Sequence, residues 1–256
     1  YFTSLIRPGG ALIMRKGIDI MPQLQKGVKL YTYSMDEGGD FCAENIRTAK
    51  GEIHFDFVAP NDRINDVRLG VPVRINVENS VAAMALAWLN GVTPEELRTG
   101  ISSFSGIYRR FNVIYKSDKI VFMDDYAHHP SELKASISSI RDLYPNRKIT
   151  GIFQPHLYSR TRDFAPAFAE VLSELDELIL LDIYPARELP IEGVDAKLIF
   201  RDVKLENKTL CSNENLLPLL KNKNLDILVT FGAGDIDKIV PLIKEQLKQS
   251  AIKVGN

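Results

Sequence analysis

The chain has 256 residues, 45% of them hydrophobic and 25% charged, a balance that fits one large or two ordinary folded domains and excludes disorder. Its 32 basic and 33 acidic residues nearly cancel, which excludes a bulk electrostatic footprint for nucleic acid or anionic lipid, so any anionic ligand must be held by a few placed groups. No apolar run reaches the roughly 18 residues that a membrane span needs, and neither a membrane nor a nucleic-acid partner is expected.

Cys42 and Cys211 form neither a disulfide framework nor a zinc pattern, so two reduced, buried thiols and a cytoplasmic location are expected. The opening "YFTSLIRPGGALIMRKG" reads as a helix tail, a Pro-Gly-Gly turn and a strand already inside a domain, as in a piece of a longer protein. From residue 11 to about 75 the short runs "ALIMRK", "VKLYTYS", "EIHFDFVAP" and "INDVRLGVPV" predict β-strands with tight turns. "NVENSVAAMALAWLNGV" has helical spacing and a stop at Gly91. "TPEELRTGISSF" follows, with Thr93 at N-cap, Pro94 at N1 and Glu96 at N3, which predicts a capping box.

A boundary is expected near Ser105 to Tyr108, giving units 1–106 and 107–256. Beyond it, "FNVIY" and "KIVFM" flank a polar turn at Lys116 to Asp118, and the strands "KITGIF", "ELILLDIY", "KTLC" and "LDILVTFGAG" alternate with helices predicted at 130–143, 161–174, 195–201, 213–222 and 235–248. Such alternation argues an α/β fold with a parallel sheet covered on both faces, whose ligand crevice lies beyond the carboxyl ends of the strands. Three segments follow strands directly and are therefore the candidate site: "MDDYAHHP", "FQPHLYSRTRD" and "TFGAGD".

In "DDYAHHP" adjacent side chains diverge, so Asp125 and His128 are expected to converge on a ligand while their neighbours pack or cap. The segment lacks the His-x-x-x-His pairing or Cys partners of a zinc centre, and no metal ligand is assigned. Pro130, Ser131 and Glu132 read as a helix start, with His129 packing or capping. In "FQPHLYSRTRDF", His156 and Arg160 stand four apart, so a helical turn would put them on one face, ready to grip a carboxylate or phosphate; Arg162 and Asp163 read as a surface pair. "YRRF" places arginines at the domain junction, and "INVENS" puts Asn76 and Asn79 at a helix start, where they can cap or read a purine edge. "FGAGD" reads as a tight turn with Asp235 as N-cap.

Taken in order, "NVENSVAAMALA", "FSGIYRRF", "DDYAHHPSEL", "FQPHLYSRTRDF" and "FGAGDI" resemble the Mur ligase family, with motifs spread over residues 70–240. The resemblance implies the second half of a central α/β ATPase domain over residues 1–106 and a Rossmann-like C-terminal domain with a mostly parallel sheet over 107–256. It implies an ATP- and Mg²⁺-dependent amide ligase that joins L-alanine to UDP-N-acetylmuramate through an acyl phosphate, in peptidoglycan precursor synthesis. By the same resemblance Asn76 and Asn79 lie at the adenine, and Arg110 and Asp125 touch the nucleotide. Tyr126, His128, His156 and Arg160 face the amino acid, with His128 and Arg160 catalytic. The phosphate loop, the magnesium ligands and the UDP-binding domain would lie outside this chain, which alone is expected to be inactive.

Two positions depart from the family pattern: Ile75 stands where a histidine is usual, and Leu157 where arginine is common. The alternatives are a ligase that recycles cell-wall tripeptide and a non-catalytic Rossmann-like binding module.

Overall fold

The computed structural model describes residues 1–36, 38–49 and 51–254, and the chain divides into two units, Tyr1–Ser105 and Gly106–Asn256. The first unit carries five strands, β1 (Ala11–Arg15), β2 (Lys29–Ser34), β3 (Phe41–Ala49), β4 (Glu52–Ala59) and β5 (Asp62–Arg68), in the spatial order 1-2-3-4-5. β1, β2 and β3 run parallel, whereas β3–β4 and β4–β5 pair antiparallel. Helix α1 (Arg74–Leu89) lies over β2 and β3, burying Val77, Val81, Met84 and Ala85 along with Phe41, Phe55 and Phe57 of the sheet. The capping box of α2 (Pro94–Ser103) is present as the sequence dictates, with Thr93 and Glu96 exchanging hydrogen bonds.

β3 was not among the expected strands. Its alternation breaks at a bulge between Glu44 and Arg47, where Asn45 adopts a left-handed φ of 50°. The buried Asp56 carboxylate anchors this bulge and a second one in β4–β5, accepting from Asn45 Nδ2 (2.8 Å), the Asp66 amide (2.9 Å) and Arg63 Nη2 (3.1 Å). Burial opposes ionisation there, but these partners hold the carboxyl down at about 2.

The second unit contains β6 (Asn112–Lys116), β7 (Val121–Asp125), α3 (Pro130–Leu143), β8 (Ile149–Phe153), α4 (Tyr158–Leu172), β9 (Glu177–Leu181), α5 (Lys197–Phe200), β10 (Lys208–Cys211), α6 (Asn213–Lys221), β11 (Ile227–Phe231) and α7 (Val240–Val254). Its strand order is 10-9-8-11-7-6; β10 through β7 are parallel and β6 alone is antiparallel. This is the expected mostly parallel sheet. Every residue of β7, β8, β9 and β11 is buried, as strands covered on both faces require.

The helix expected at 235–248 is instead a 3-10 turn, Asp235–Lys238, followed by α7, and α4 begins three residues earlier than its expected start. Cys42 is buried but Cys211 only half-buried, which corrects the expectation of two buried thiols; both are free. Among the described residues no helix is long and apolar enough to cross a membrane.

Candidate functional site

β11 inserts between β7 and β8, so the chain leaves β7, skips a position and returns last to the middle of the sheet. In open α/β sheets such a reversal in strand order is where ligands bind, beyond the carboxyl ends of the strands. Asp125, Phe231 and Phe153 lie level across β7, β11 and β8, so the loops after them start from one height. Backbone hydrogen bonds then tie the exits together: Gly232 N donates to Asp125 O (3.2 Å) and Gln154 N to Phe231 O (3.0 Å).

Strand β7 ends in two buried acids, and the loop follows them. Asp124 accepts from Thr230 Oγ1 at 2.6 Å and faces the Arg109 guanidinium at 3.4 Å. Burial pushes its carboxyl up, against the pull of Thr230 and Arg109. Asp125 is also buried and accepts from the Ala127 amide at 3.3 Å; burial pushes this carboxyl up too, with Arg110 among the groups that oppose the shift. Asp125 thus braces the loop from within through the Ala127 amide, and the Tyr126 and His128 rings meet edge to face at 5.2 Å.

His128 Nδ1 lies 2.8 Å from the Tyr126 carbonyl and 3.3 Å from Glu132 Oε2. Both neighbours can only accept, so Nδ1 carries the hydrogen and a neutral His128 keeps its lone pair on Nε2. His129 has a clear assignment as the N-cap of α3. It accepts from the Ser131 amide while Glu132 returns a bond to the His129 amide, and its ring packs on Phe164 at 4.8 Å.

The loop after β8 departs from the expected helical face. Helix α4 starts at Tyr158, and Leu157 before it has φ 72°, so His156 lies outside the helix and pairs with Tyr184 in a lone β-bridge. His156 and Arg160 therefore share a loop and a helix start, not one helix face. They are still neighbours: burial first, then the charges of Arg160 and His128, push the His156 imidazole below its ordinary range. The rings of Tyr126, His128, His156 and Tyr184 form a continuous series, the last two stacked at 5.7 Å. His156 Nδ1 and Arg160 Nη1 are buried atoms with no hydrogen-bond partner among the described residues, an arrangement that suits a carboxylate ligand. Arg162 and Asp163 form the expected exposed pair at 2.8 Å.

The loop after β11 is closed by Gln154, whose Nε2 donates to Asp235 Oδ1 (2.8 Å) and whose Oε1 accepts from the Ile236 amide (2.9 Å). A Cβ on Gly234 would sit 2.4 Å from Gln154 Oε1 and 2.7 Å from Tyr184, so only glycine fits. Asp235 is not the expected N-cap. Gly234 takes that place, because the Asp235 carboxylate is engaged by Gln154 and by Asn213 at 3.4 Å.

Of the junction arginines, Arg110 is exposed with its guanidinium 5.5 Å from the Tyr126 ring centre. Arg109 is the buried one, reaching Asp124, Asp237 (3.6 Å) and the carbonyls of Gly232 and Gly234. In the first unit, Asn76 Nδ2 donates to Val71 O (3.3 Å) and Asn79 Nδ2 to Asn76 Oδ1 (3.2 Å), with Val73 as the N-cap of α1. Among the described residues no three His, Cys, Asp or Glu are grouped to hold a metal ion. Gln154, Tyr184 and Glu188 build the site without having stood out in the sequence. Their partners lie tens of residues away, and no local pattern marks them.

Residues 109–234 match the family model described as Mur ligase, glutamate ligase domain. The chain is 58% identical over 246 residues to a Parabacteroides distasonis protein named UDP-N-acetylmuramate--L-alanine ligase, which covers 96% of this chain and 53% of that protein. A Porphyromonas gingivalis protein of the same name is 51% identical over 250 residues, covering 97% and 55%. The chain thus spans about half the length of these relatives. Among solved structures, a UDP-N-acetylmuramate-alanine ligase MurC from Thermotoga maritima aligns with TM-score 0.70 at 24% identity over 86% of this chain and 48% of that one. A MurF ligase from the same organism in complex with ADP aligns with TM-score 0.59 at 16% identity over 88% and 50%.

Proposed function

The chain belongs to the Mur ligase family, and from that premise we propose that it is part of an ATP-dependent ligase that joins L-alanine to UDP-N-acetylmuramate in cytoplasmic peptidoglycan precursor synthesis. The observation that carries the reading is the pair of buried, unpartnered nitrogens on His156 and Arg160 beside the His128 ring. Two relatives sharing more than half of their aligned residues with this chain bear that enzyme's name, which supports the choice of substrates.

In this proposal the substrate carboxylate takes the terminal phosphoryl of ATP, releasing ADP and leaving an acyl phosphate. The alanine amine attacks its carbonyl carbon, the C–N bond forms, phosphate departs and the amine proton passes to a base. Arg160 is placed to hold the alanine carboxylate with paired hydrogen bonds. His128, with Nδ1 fixed by the Tyr126 carbonyl, presents Nε2 to the amine proton, and Tyr126 and His156 wall the pocket. The neutral form of His156, favoured by burial and by Arg160, leaves the amine unrepelled. Arg110 serves the nucleotide from the surface and Asp125 by bracing the loop beneath it; Asn76 and Asn79 serve the adenine. Magnesium would supply charge neutralisation on the transferring phosphoryl. Its ligands and the phosphate loop would, on this reading, lie in the half of the relatives' length that this chain does not span.

The test is phosphate release by the full-length ligase with alanine, serine, glycine and the recyclable tripeptide as competing acceptors. Release that depends on both UDP-N-acetylmuramate and alanine, with alanine preferred, is the expected result. Preference for the tripeptide would transfer the chain to the recycling ligase, and no acceptor-dependent release would leave only a binding module.

A further inference from the structure

Helix α4 starts without a polar cap of its own. Leu157 occupies the N-cap with an apolar side chain and a left-handed backbone, φ 72°. A helix start leaves N–H groups that need partners, and a non-glycine residue in that backbone region is disfavoured unless its neighbours hold it there. Both needs are met by one loop, residues 182–190 after β9. Glu188, 29 residues beyond Ser159, accepts the Ser159 amide at Oε2 (2.9 Å) and the Ser159 hydroxyl at Oε1. Tyr184 accepts the Leu157 amide (2.9 Å), donates its own amide to Pro155 O (2.8 Å) and stacks on the His156 ring.

The Arg160 side chain makes no hydrogen bond or ion pair among the described residues, and its Nη1 is a buried atom without a partner there. Nothing on its own side chain fixes it, so its place is inherited from the backbone that Glu188 grips one residue earlier.

We propose that Glu188 is a positioning residue for the amino-acid acceptor, acting through Ser159 to set the start of α4 and hence Arg160. The inference rests on the ligase reading above and adds a residue that neither contacts the reacting atoms nor belongs to the same loop. A negative charge at a helix N-terminus is stabilised by the aligned peptide dipoles, and here the carboxylate that supplies it comes from elsewhere in the chain. A misplacement of the carboxylate grip by a fraction of an ångström is felt in acceptor binding before it is felt in nucleotide binding.

The experiment compares wild type, Glu188→Ala and Glu188→Gln in the full-length ligase, with KM and kcat for alanine, ATP and UDP-N-acetylmuramate measured separately and amide exchange read at Ser159 and Arg160. Glu188→Ala is expected to raise the alanine KM roughly tenfold while the KM values for ATP and UDP-N-acetylmuramate move less than about twofold. Exchange at the start of α4 should quicken. Glu188→Gln keeps an oxygen for the Ser159 amide and should restore the alanine KM to within about threefold of wild type. An unchanged alanine KM in Glu188→Ala, or an equal rise for all three substrates, overturns the inference and leaves the ligase reading intact. A wild-type enzyme with no alanine-dependent turnover overturns the ligase reading and the acceptor role of Glu188 together, whatever the exchange shows.

Discussion

Helices α3 and α4 both begin at the carboxyl edge of the same sheet, and both carry candidate site residues on their approach, yet they are started in opposite ways. α3 is capped from its own sequence: His129 accepts from the Ser131 amide, Pro130 sets the first φ, and Glu132 closes back on the His129 amide. α4 has Leu157 at the equivalent place and borrows a carboxylate from Glu188 across another loop. A local cap makes a helix start nearly independent of its surroundings, whereas a borrowed cap makes it conditional on the packing of a second loop. The residues of α4's approach, His156 and Arg160, are therefore the ones whose geometry a distant substitution can reach.

The strongest way to break this contrast is Arg109→Ala. Arg109 accepts the Tyr126 amide at its carbonyl (2.6 Å) and pairs with the buried Asp124, so the approach to α3 also has one long-range support. Removing the guanidinium leaves that buried carboxylate with the Thr230 hydroxyl but without its charged partner, and should cost about 3–5 kcal/mol in chemical denaturation. A loss below about 1 kcal/mol would mean that the Arg109 side chain adds no support to the α3 approach.

Next is Gly234→Ala, which drives a methyl group into Gln154 and Tyr184, the supports of the α4 approach, and should cost about 1–3 kcal/mol in the same measurement. His129→Ala should cost about 0.5–2 kcal/mol and quicken amide exchange only in the first turn of α3. Exchange spreading to α4 would dissolve the distinction.

The smallest effect is a control at the other end of the sheet. Burial alone would raise the Glu177 carboxyl, but Lys148 Nζ at 2.6 Å and Lys223 hold it below its ordinary range. Its folded value lies under its unfolded one, so its contribution is complete above the ordinary glutamate pKa and is lost as pH falls through the lower folded value. Glu177→Gln should flatten that acid limb of the stability curve without changing exchange at either helix start.

The same contrast explains what could be read from the sequence. Pro130 at N1, the Thr93–Glu96 box and the parallel sheet rest on spacings of a few residues, and the structure has them where periodicity and capping chemistry put them. The expectations that failed concern groups whose partners are far away in sequence. Asp235 looks like a cap until Gln154 takes its carboxylate, and His156 and Arg160 look like helical neighbours until Tyr184 pulls His156 into a β-bridge and Leu157 turns left-handed. Either arginine of "YRRF" could have been buried; Asp124 and the glycine carbonyls of the β11 loop chose Arg109. Glu188 sits in a loop with no spacing that relates it to Ser159, so only the fold reveals the pair.

Arg160 is the proposed holder of the acceptor carboxylate, and its removal is the most direct test. Steady-state kinetics of Arg160→Ala in the full-length ligase should show the alanine KM raised at least tenfold, on the order expected for a lost charge-assisted pair, with the ATP KM within about twofold of wild type. An alanine KM and kcat equal to wild type would contradict it.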